Sequence, residues 1–476
     1  MVVFPHIAGG PAGERVLARV FVDNLARFGA GEALRNPVDL APGDENPGGG
    51  PPAIRVTEDG SMPTPTPTLA INGPRLWESL MASARIGPGR IETGLRRLAL
   101  TDADREMRDL FVRWCREAGC AVTIDRMGSI FARRAGADDT LPPVVMGSHL
   151  DTQIAGGRFD GILGVLAGLE VVRTLNDAGV RTRRPLEVVC WTNEEGARFA
   201  PPMLASAVFG GVRSLEWALA RTDAEGRTVG EELRRIGYAG EAPVGGRPLD
   251  AYFDLHIEQG PILDDKGIPL GVVTGGFEVR GAVVEVHGET AHAGPTPMAQ
   301  RKNALVGAAM LVVAVNEIGF AYAPDGKATP ARLEAWPNLP GILSDWARLT
   351  LDVRHPEAAQ AERMIADVRR AMAECARRAQ VDMAIIETWQ FGSERFDPEL
   401  VDLIRRTATR LEAPSLDMLS QAGHDAYYVS RVAPTAMIFT PCERGISHNE
   451  RESCTLEDCA PGVNVLLHAV LERANR

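Results

Sequence analysis

The chain has 476 residues, of which 45% are hydrophobic and 24% charged, and this composition is typical of a globular protein too long for one ordinary domain. Its formal charge of -12 at pH 7 argues against a surface for nucleic acid or anionic membranes, because such surfaces need clustered lysine and arginine. Seven cysteines without a CxxC pair indicate no disulfide framework, and no apolar run approaches the length of a membrane span, so we expect a cytoplasmic protein with reduced thiols.

Residues 1–71 differ in composition from the rest of the chain. Glycine and proline are concentrated in residues 41–52 and 63–69, and such segments bury too little surface to offset the entropy lost on ordering. We expect a disordered or loosely attached extension, with at most a short helix at 15–28. As a hypothesis, translation starts at Met62. The intact mass of natively expressed protein tests this, and a species beginning at Met1 would defeat the idea.

Residues 72–276 alternate between helical and strand-like apolar patterns. Strands separated by helices at these distances indicate βαβ units and a mostly parallel sheet, so the fold class is α/β. A loop-rich helical passage interrupts the alternation at 203–240. We expect helices at 76–84, 102–118 and 161–176, and strands at 121–124, 130–132, 143–148, 186–191 and 251–258.

Residues 277–391 carry a different pattern, in the order β-α-β-β-α-β. This order is typical of a ferredoxin-like α+β layer, and we interpret it as a domain inserted into the first one. The α/β pattern returns in residues 392–476, with a strand at 434–440 and a closing helix at 456–473. The elements expected in the insertion are strands at 282–286, 331–336, 347–353 and 381–388, and helices at 303–318 and 357–378.

Histidines and carboxylates follow several of the predicted strands. Ligands bind at the carboxyl ends of strands in open α/β sheets. A turn at Gly156 and Gly157 can bring the carboxylate of Asp160 back toward His149. Five ligands exceed what one open zinc site needs and suit two cations sharing a carboxylate. Zinc, manganese, cobalt and nickel all suit such ligands. The five candidates are His149, Asp160, Glu195, His256 and His448.

Two further carboxylates have candidate roles beside these ligands. Asp151 follows His149 by two residues and can orient its imidazole; the alternative is a helix or turn cap. Glu194 and Glu195 are adjacent, so one can bind a cation while the other takes a proton from the attacking water. The alternative for this pair is a solvated acidic surface.

Seven motifs stand in order along the chain: GSHLDTQ at 147–153, GGRFDG at 156–161, WTNEEGARF at 191–199, HIEQG at 256–260, HAGPTPM at 292–298, GHDA at 423–426 and GISH at 445–448. Together they resemble those of one known family, the dimetal N-carbamoyl-amino-acid amidohydrolases. This family groups with the allantoate amidohydrolases and β-ureidopropionases among aminoacylase-type metallopeptidases. The resemblance runs from about residue 72 to the end and implies a mixed-sheet catalytic domain with an inserted lid and dimerisation domain.

The resemblance also implies residue roles. Asp160 would bridge two cations completed by the other four candidate ligands, and Glu194 would be the general base. His292, from the lid of a homodimer partner, would assist the developing oxyanion. Asn338 and Arg354 would bind the substrate's carboxylate and carbamoyl ends, and Gln259 would add a polar contact. From the residues alone, His292 could instead stabilise a turn, and Arg354 could form a surface ion pair.

The chain departs from the family pattern at four places, none of them a metal position. The usual Asn-Val-Val-Pro-Gly is one residue shorter at 338–341, the segment between Pro340 and Asp352 is longer than usual, the usual Arg-x-Asp reads Arg-Lys-Asn at 301–303, and Gln421 stands where glycine is common. The resemblance implies hydrolysis of N-carbamoyl-L-amino acids or N-carbamoyl-β-alanine to an amino acid, ammonia and carbon dioxide. Alternatives are allantoate hydrolysis, a dipeptidase or an aminoacylase. A non-catalytic scaffold is disfavoured because Glu194 and every ligand position are kept.

Overall fold

A computed structural model describes residues 69–476, so the expectations for the preceding extension lie outside the described residues. The strands within this range fall into two separate sheets. They are β1 (Ala121–Ile124), β2 (Ile130–Arg134), β3 (Val144–His149), β4 (Leu186–Trp191), β5 (Ala251–Ile257), β6 (Leu270–Gly276), β7 (Glu278–His287), β8 (Lys327–Trp336), β9 (Trp346–His355), β10 (Asp382–Phe391), β11 (Ser415–Ser420) and β12 (Thr435–Thr440).

The larger sheet has eight strands in the order β1-β2-β4-β3-β5-β12-β6-β11. Its four central strands, β4, β3, β5 and β12, are mutually parallel, whereas β1, β2 and the β6–β12 pair add antiparallel contacts. Every residue of these four strands is buried, as expected for apolar strands covered on both faces. Parallel pairing places their carboxyl ends at one edge of the sheet. The predicted mixed α/β sheet is therefore confirmed.

Several helices of the described residues begin at a side chain that caps them. Thr101 accepts a hydrogen bond from the main-chain N–H of Asp104, and Thr455 forms a capping box with Asp458. The helix Ile162–Asp177 is almost wholly buried against the central strands. The other α-helices are Gly73–Ser83, Asp102–Glu117, Leu204–Phe209, Leu215–Leu219, Val229–Ile236, Ile262–Lys266, Ala304–Ala321, Ala358–Ala379, Pro398–Arg410, Asp425–Val429 and Leu456–Ala474.

The smaller sheet is antiparallel, in the order β10-β7-β9-β8, and carries the helices Ala304–Ala321 and Ala358–Ala379. It has a hydrophobic core of its own, distinct from the core of the larger sheet. The chain enters this layer from β6 and leaves it after β10, returning to the larger sheet at β11. The inserted ferredoxin-like layer predicted from the β-α-β-β-α-β order is thus confirmed.

Among the strands and α-helices, the elements that were not predicted are two strands, β6 and β11, and three helices, Ile262–Lys266, Pro398–Arg410 and Asp425–Val429. Strand β6 contains three glycines, which interrupt its apolar run, and β11 alternates polar and apolar residues over only its first four positions. Both nevertheless complete the edge of the larger sheet. The helix Pro398–Arg410 has a recognisable start, because Asp397 accepts the main-chain N–H groups of Glu399 and Leu400 and proline occupies the first position.

The helix Ala304–Ala321 corrects one expectation. Its 18 residues are long and apolar enough to cross a membrane by length and composition alone, whereas the sequence had been expected to contain no apolar run of that length. In the structure its buried positions face the small sheet, while Val306, Val313 and Phe320 are exposed on the opposite side. The helix is therefore apolar on both sides: one side packs against the small sheet, and the other is exposed.

Candidate metal centre and active site

The site begins where β3 ends, at His149. Nδ1 of this ring donates a hydrogen bond to the main-chain carbonyl of Asp151, at 2.9 Å, and leaves Nε2 free. The chain then turns back through Gly161, whose φ is +68°. A Cβ at this glycine would lie 2.2 Å from Nε2 of His149, so a larger residue cannot occupy the position. The close approach holds the neighbouring Asp160 beside the histidine.

Asp160 is shared by two groups of candidate ligands. Its Oδ1 lies 3.7 Å from Nε2 of His149 and 3.1 Å from Nε2 of His256. Its Oδ2 lies 3.4 Å from Nε2 of His448, which in turn lies 3.3 Å from a carboxylate oxygen of Glu195. The five side chains are buried except that of His448, which is 52% exposed. All five predicted ligands thus meet at one edge of the large sheet.

The donor set fits divalent cations. His256 repeats the arrangement of His149, because its Nδ1 donates to the carbonyl of Ile257 at 2.9 Å. Such outer hydrogen bonds fix the ring and present Nε2 as the ligand atom. Ligands bound tetrahedrally at about 2.0–2.2 Å lie roughly 3.3–3.5 Å apart, close to the spacings around Asp160. Imidazole and carboxylate donors suit zinc and similar transition metals.

Burial and neighbouring charges set the protonation of these ligands. Burial lowers the pKa of His149 to about 4, so this imidazole is neutral at pH 7. Burial also acts to lower the pKa of His256, but the hydrogen bond and negative charge of Asp160 outweigh it and raise the value to about 9. The same contacts hold the pKa of Asp160 far below its ordinary range, despite its burial. Asp160 is therefore an anion facing both ligand groups.

The carboxylate of Asp151 makes a different contact from the one predicted. It accepts the main-chain N–H groups of Glu194, at 3.3 Å, and Glu195, at 3.2 Å, while His149 is held by the carbonyl of Asp151 and not by its carboxylate. Asp151 therefore fixes the loop after β4. Because Gln153 donates to the side chain of Glu195 at 2.9 Å, the orientation of this ligand is set as well.

Glu194 lies between the first ligand group and the interior. One of its carboxylate oxygens is 3.4 Å from Nε2 of His149, and the residue is 7% exposed. Burial, followed by the negative charge of Asp425, raises the pKa of Glu194 well above its ordinary value. A carboxyl group with a raised pKa is suited to accepting a proton near neutral pH. Within the described residues Glu194 is not one of the grouped ligands, whereas Glu195 is.

A cavity of about 220 Å³ opens over these residues. Gln259 donates from Nε2 to Asp160 at 2.8 Å, and its buried Oε1 has no protein partner among the described residues. Arg354 donates to the carbonyl of Gln421 at 2.8 Å and pairs with Asp352 at 2.9 Å. Larger surface grooves, such as that beside Trp114, hold none of the grouped ligands. The predicted site residues that line the cavity are Asp160, Glu194, Glu195, His256, Gln259, Arg354 and His448.

Two predicted residues lie elsewhere, on the inserted layer. His292 and Asn338 are exposed and do not line the cavity of their own chain. The loops that carry them lie side by side, because His292 and Ile342 form a β-bridge and Ala293 donates its main-chain N–H to the carbonyl of Gly341. The structure thus brings His292 and Asn338 into one surface region but not into the site of the same chain.

Sequence reasoning missed several residues that support the site. His424 packs its ring 4.6 Å from that of His256 and lies 3.0 Å from Oγ of Ser420; the GHDA motif could have pointed to it. Glu452 accepts the main-chain N–H of Asp160. Nothing in the sequence around Glu452 sets it apart from the neighbouring acidic residues.

Comparisons with known proteins agree with this geometry. The model of peptidase family M20/M25/M40 matches residues 139–472. Over 413 residues the chain is 45% identical to the N-carbamoyl-L-amino-acid amidohydrolase of Rhizobium meliloti, covering 87% of this chain and 99% of that protein. It is 32% identical to the ureidoglycolate hydrolase of Arabidopsis thaliana over 381 residues, which are 78% of this chain and 80% of that protein.

A crystal structure of an amidase of the hydantoinase/carbamoylase family from Burkholderia vietnamiensis is similar throughout. It aligns with a TM-score of 0.83 at 49% identity and covers 86% of this chain and 99% of that one. The family match includes both ligand groups around Asp160, and the resemblance seen in the motifs is confirmed. The chain belongs to peptidase family M20/M25/M40 and is an amidohydrolase.

Proposed function

We propose that this enzyme hydrolyses the carbamoyl C–N bond of N-carbamoyl amino acids with two divalent cations. The sharing of Asp160 between two groups of candidate ligands is the observation that carries the proposal. The high identity to a protein named N-carbamoyl-L-amino-acid amidohydrolase supports the substrate class. One water is consumed for each amino acid, ammonia and carbon dioxide released. Two cations, when bound, would polarise the carbamoyl carbonyl and lower the pKa of the attacking water.

Glu194 is the group that moves protons in this proposal. It accepts a proton from the water that attacks the carbamoyl carbon and delivers it to the leaving nitrogen. Asp151 holds the main-chain N–H groups of Glu194 and Glu195 and so keeps the base and its neighbouring ligand in fixed positions. The raised pKa of Glu194 suits both steps, because a more basic carboxylate accepts the proton of water more readily and can then donate it.

The cavity supplies contacts for both ends of the substrate. Arg354 presents a guanidinium group from the inserted layer, which suits a carboxylate. Oε1 of Gln259 has no partner within residues 69–476, which suits an N–H donor of the carbamoyl group. These two residues place the substrate between the inserted layer and the ligand groups. Met203 and Phe391 complete an apolar wall of the cavity.

We further propose a homodimer in which the inserted layer, residues 277–391, completes the partner's site. Strand β8 is an edge strand, and the helix beside it exposes Val313 and Phe320. An edge strand and an uncovered apolar face together suit a protein interface. His292 and Asn338 would then reach the partner's cavity, where His292 would donate to the developing oxyanion. We also propose that the protein is cytoplasmic. Its catalytic domain would consist of residues 72–276 and 392–476, with residues 277–391 as the inserted domain.

A substrate panel with ammonia detection tests the proposed function. Protein reconstituted separately with zinc, manganese, cobalt and nickel is offered N-carbamoyl-L-amino acids, N-carbamoyl-β-alanine, allantoate and ureidoglycolate. We expect the N-carbamoyl amino acids to be hydrolysed fastest. The similarity to a ureidoglycolate hydrolase makes ureido acids the second candidate class. Faster turnover of allantoate or ureidoglycolate would overturn the proposed substrate, and release of amines without ammonia would indicate a dipeptidase or aminoacylase.

A further inference from the structure

Glu452 lies behind the glycine turn that delivers Asp160. The residue is 1% exposed, and its Oε1 accepts two main-chain N–H groups, from Phe159 at 2.9 Å and from Asp160 at 3.0 Å. These are consecutive amides at the point where the turn presents the shared carboxylate. A single buried oxygen therefore fixes the main chain on which Asp160 is carried.

Gly157 and Glu452 are complementary in shape. A Cβ at Gly157 would lie 2.3 Å from Cβ, Cδ and Oε1 of Glu452. Any side chain at position 157 would therefore displace the carboxylate from the amides of Phe159 and Asp160. The glycine of the turn leaves room for Glu452, in addition to permitting the chain to reverse.

Ser447 extends this arrangement to the side chain of Asp160. Its Oγ lies 2.8 Å from Oδ2 of Asp160 and 2.9 Å from Oε2 of Glu452. The next residue is the ligand His448. A turn at Asn449, whose carbonyl accepts the main-chain N–H of Glu452 at 3.0 Å, folds the loop back onto the site. One short loop thus supplies a ligand and holds the shared carboxylate through both main chain and side chain.

We propose that Glu452 is a positioning residue that keeps Asp160 turned with one oxygen toward each ligand group. Acting through the turn and through Ser447, it makes binding of the second cation depend on the loop that carries His448. Outer hydrogen bonds of this kind typically change metal affinity by about 10- to 100-fold. The inference rests on the proposed two-cation function, because it concerns how the shared ligand is held.

Titration of the metal-free full-length protein with Co²⁺ tests the proposal, with bound equivalents and the visible absorption of the cobalt as readouts. For Glu452→Ala we expect the second equivalent to bind about 10- to 100-fold more weakly, with an altered spectrum. Glu452→Gln keeps an acceptor for both main-chain N–H groups and should restore the wild-type titration. Glu450→Ala is the matched control. Glu450 is a buried carboxylate of the same loop that contacts Arg90 instead of Asp160.

The outcomes separate the inference from the proposed function. Failure of the wild type to bind two equivalents would overturn the proposed function itself. If Glu452→Ala binds two equivalents of Co²⁺ with unchanged affinity and spectrum, only the positioning role is overturned. The same holds if Glu450→Ala weakens binding of the second equivalent as much as Glu452→Ala does. If Glu452→Ala fails to fold, the Co²⁺ titration of Ser447→Ala tests the proposal instead. We expect it to weaken the second equivalent, and a wild-type titration with Ser447→Ala would contradict the proposal.

Discussion

Oδ1 of Asp160 lies 3.1 Å from Nε2 of His256, which joins the glycine turn after β3 to the end of β5. The hydrogen bond and negative charge of Asp160 raise the pKa of His256 to about 9, although burial acts in the opposite direction. A cation that binds Nε2 needs the neutral imidazole and must displace the proton. The contact therefore links metal binding to pH.

Metal uptake at pH 7 should release protons from His256 and from Glu195, a candidate ligand whose pKa burial raises well above its ordinary value. Below pH 9 the ring of His256 is mostly protonated, so its deprotonation should raise metal affinity as the pH increases from 7 to 9, and this contribution should level off above that value. His149, whose pKa is lowered to about 4, is already neutral over this range and adds no dependence. Calorimetry in two buffers of different ionisation enthalpy measures the released protons. Identical binding enthalpies in both buffers would contradict the assignment.

Glu194→Gln should abolish turnover and leave metal binding intact. The amide keeps the shape of the side chain but cannot accept the proton, so we expect kcat to fall about 100- to 10,000-fold. Metal content by mass spectrometry should match the wild type, because the grouped ligands do not include Glu194. Glu195→Gln is the control and should lose metal as well as activity. Wild-type turnover in Glu194→Gln would remove this residue from the proton-transfer role.

Asp151→Asn should lower kcat through its effect on the Glu194–Glu195 loop. The amide retains one acceptor oxygen but turns an NH₂ group toward the other main-chain N–H, so the loop loses a hydrogen bond. We expect activity to fall about 10- to 100-fold, in line with other outer contacts of metal sites. Asp138→Asn, which alters an exposed turn carboxylate, is the control and should be unaffected. Equal activities in the two variants would show that the Asp151 contacts have no catalytic importance.

Mixed dimers should reveal whether His292 acts across subunits. His292→Ala and Glu194→Gln are each expected to be inactive, since one lacks the oxyanion donor and the other lacks the base. Random pairing after coexpression gives half heterodimers, each with one complete site, so about a quarter of wild-type activity should return. The His292→Ala protein should keep its metal. No recovery in verified heterodimers would place His292 in its own subunit's site or outside catalysis.

The meeting of the candidate ligands at one edge of the sheet could be predicted because their positions follow from local pattern. His149 and His256 end apolar strands, Glu195 and His448 follow strands, and parallel strands bring these ends to one edge of the sheet. The inserted layer was equally predictable, because its strands and helices follow the β-α-β-β-α-β order of a ferredoxin-like layer. The resemblance added the assignment of roles within the Glu194–Glu195 pair.

Other features depend on contacts that no local pattern contains. Glu452 reaches Asp160 only because the last loop of the chain folds back onto the turn after β3. The carboxylate of Asp151 accepts the main-chain N–H groups of Glu194 and Glu195 and does not bind the nearby imidazole of His149, because the tertiary structure places the loop after β4 beside it. Strand β6 forms although its sequence is rich in glycine, because its neighbours β11 and β12 supply hydrogen bonds on both sides.

The central claim is that Asp160 is shared by two cations that together support hydrolysis. Ammonia release from an N-carbamoyl-L-amino acid, measured while a metal-free sample is titrated with Zn²⁺ or Mn²⁺, tests it most directly. We predict that activity rises with added metal and saturates at two equivalents per subunit, and that Asp160→Asn stays inactive throughout. Saturation at one equivalent, or full activity without metal, would contradict the account.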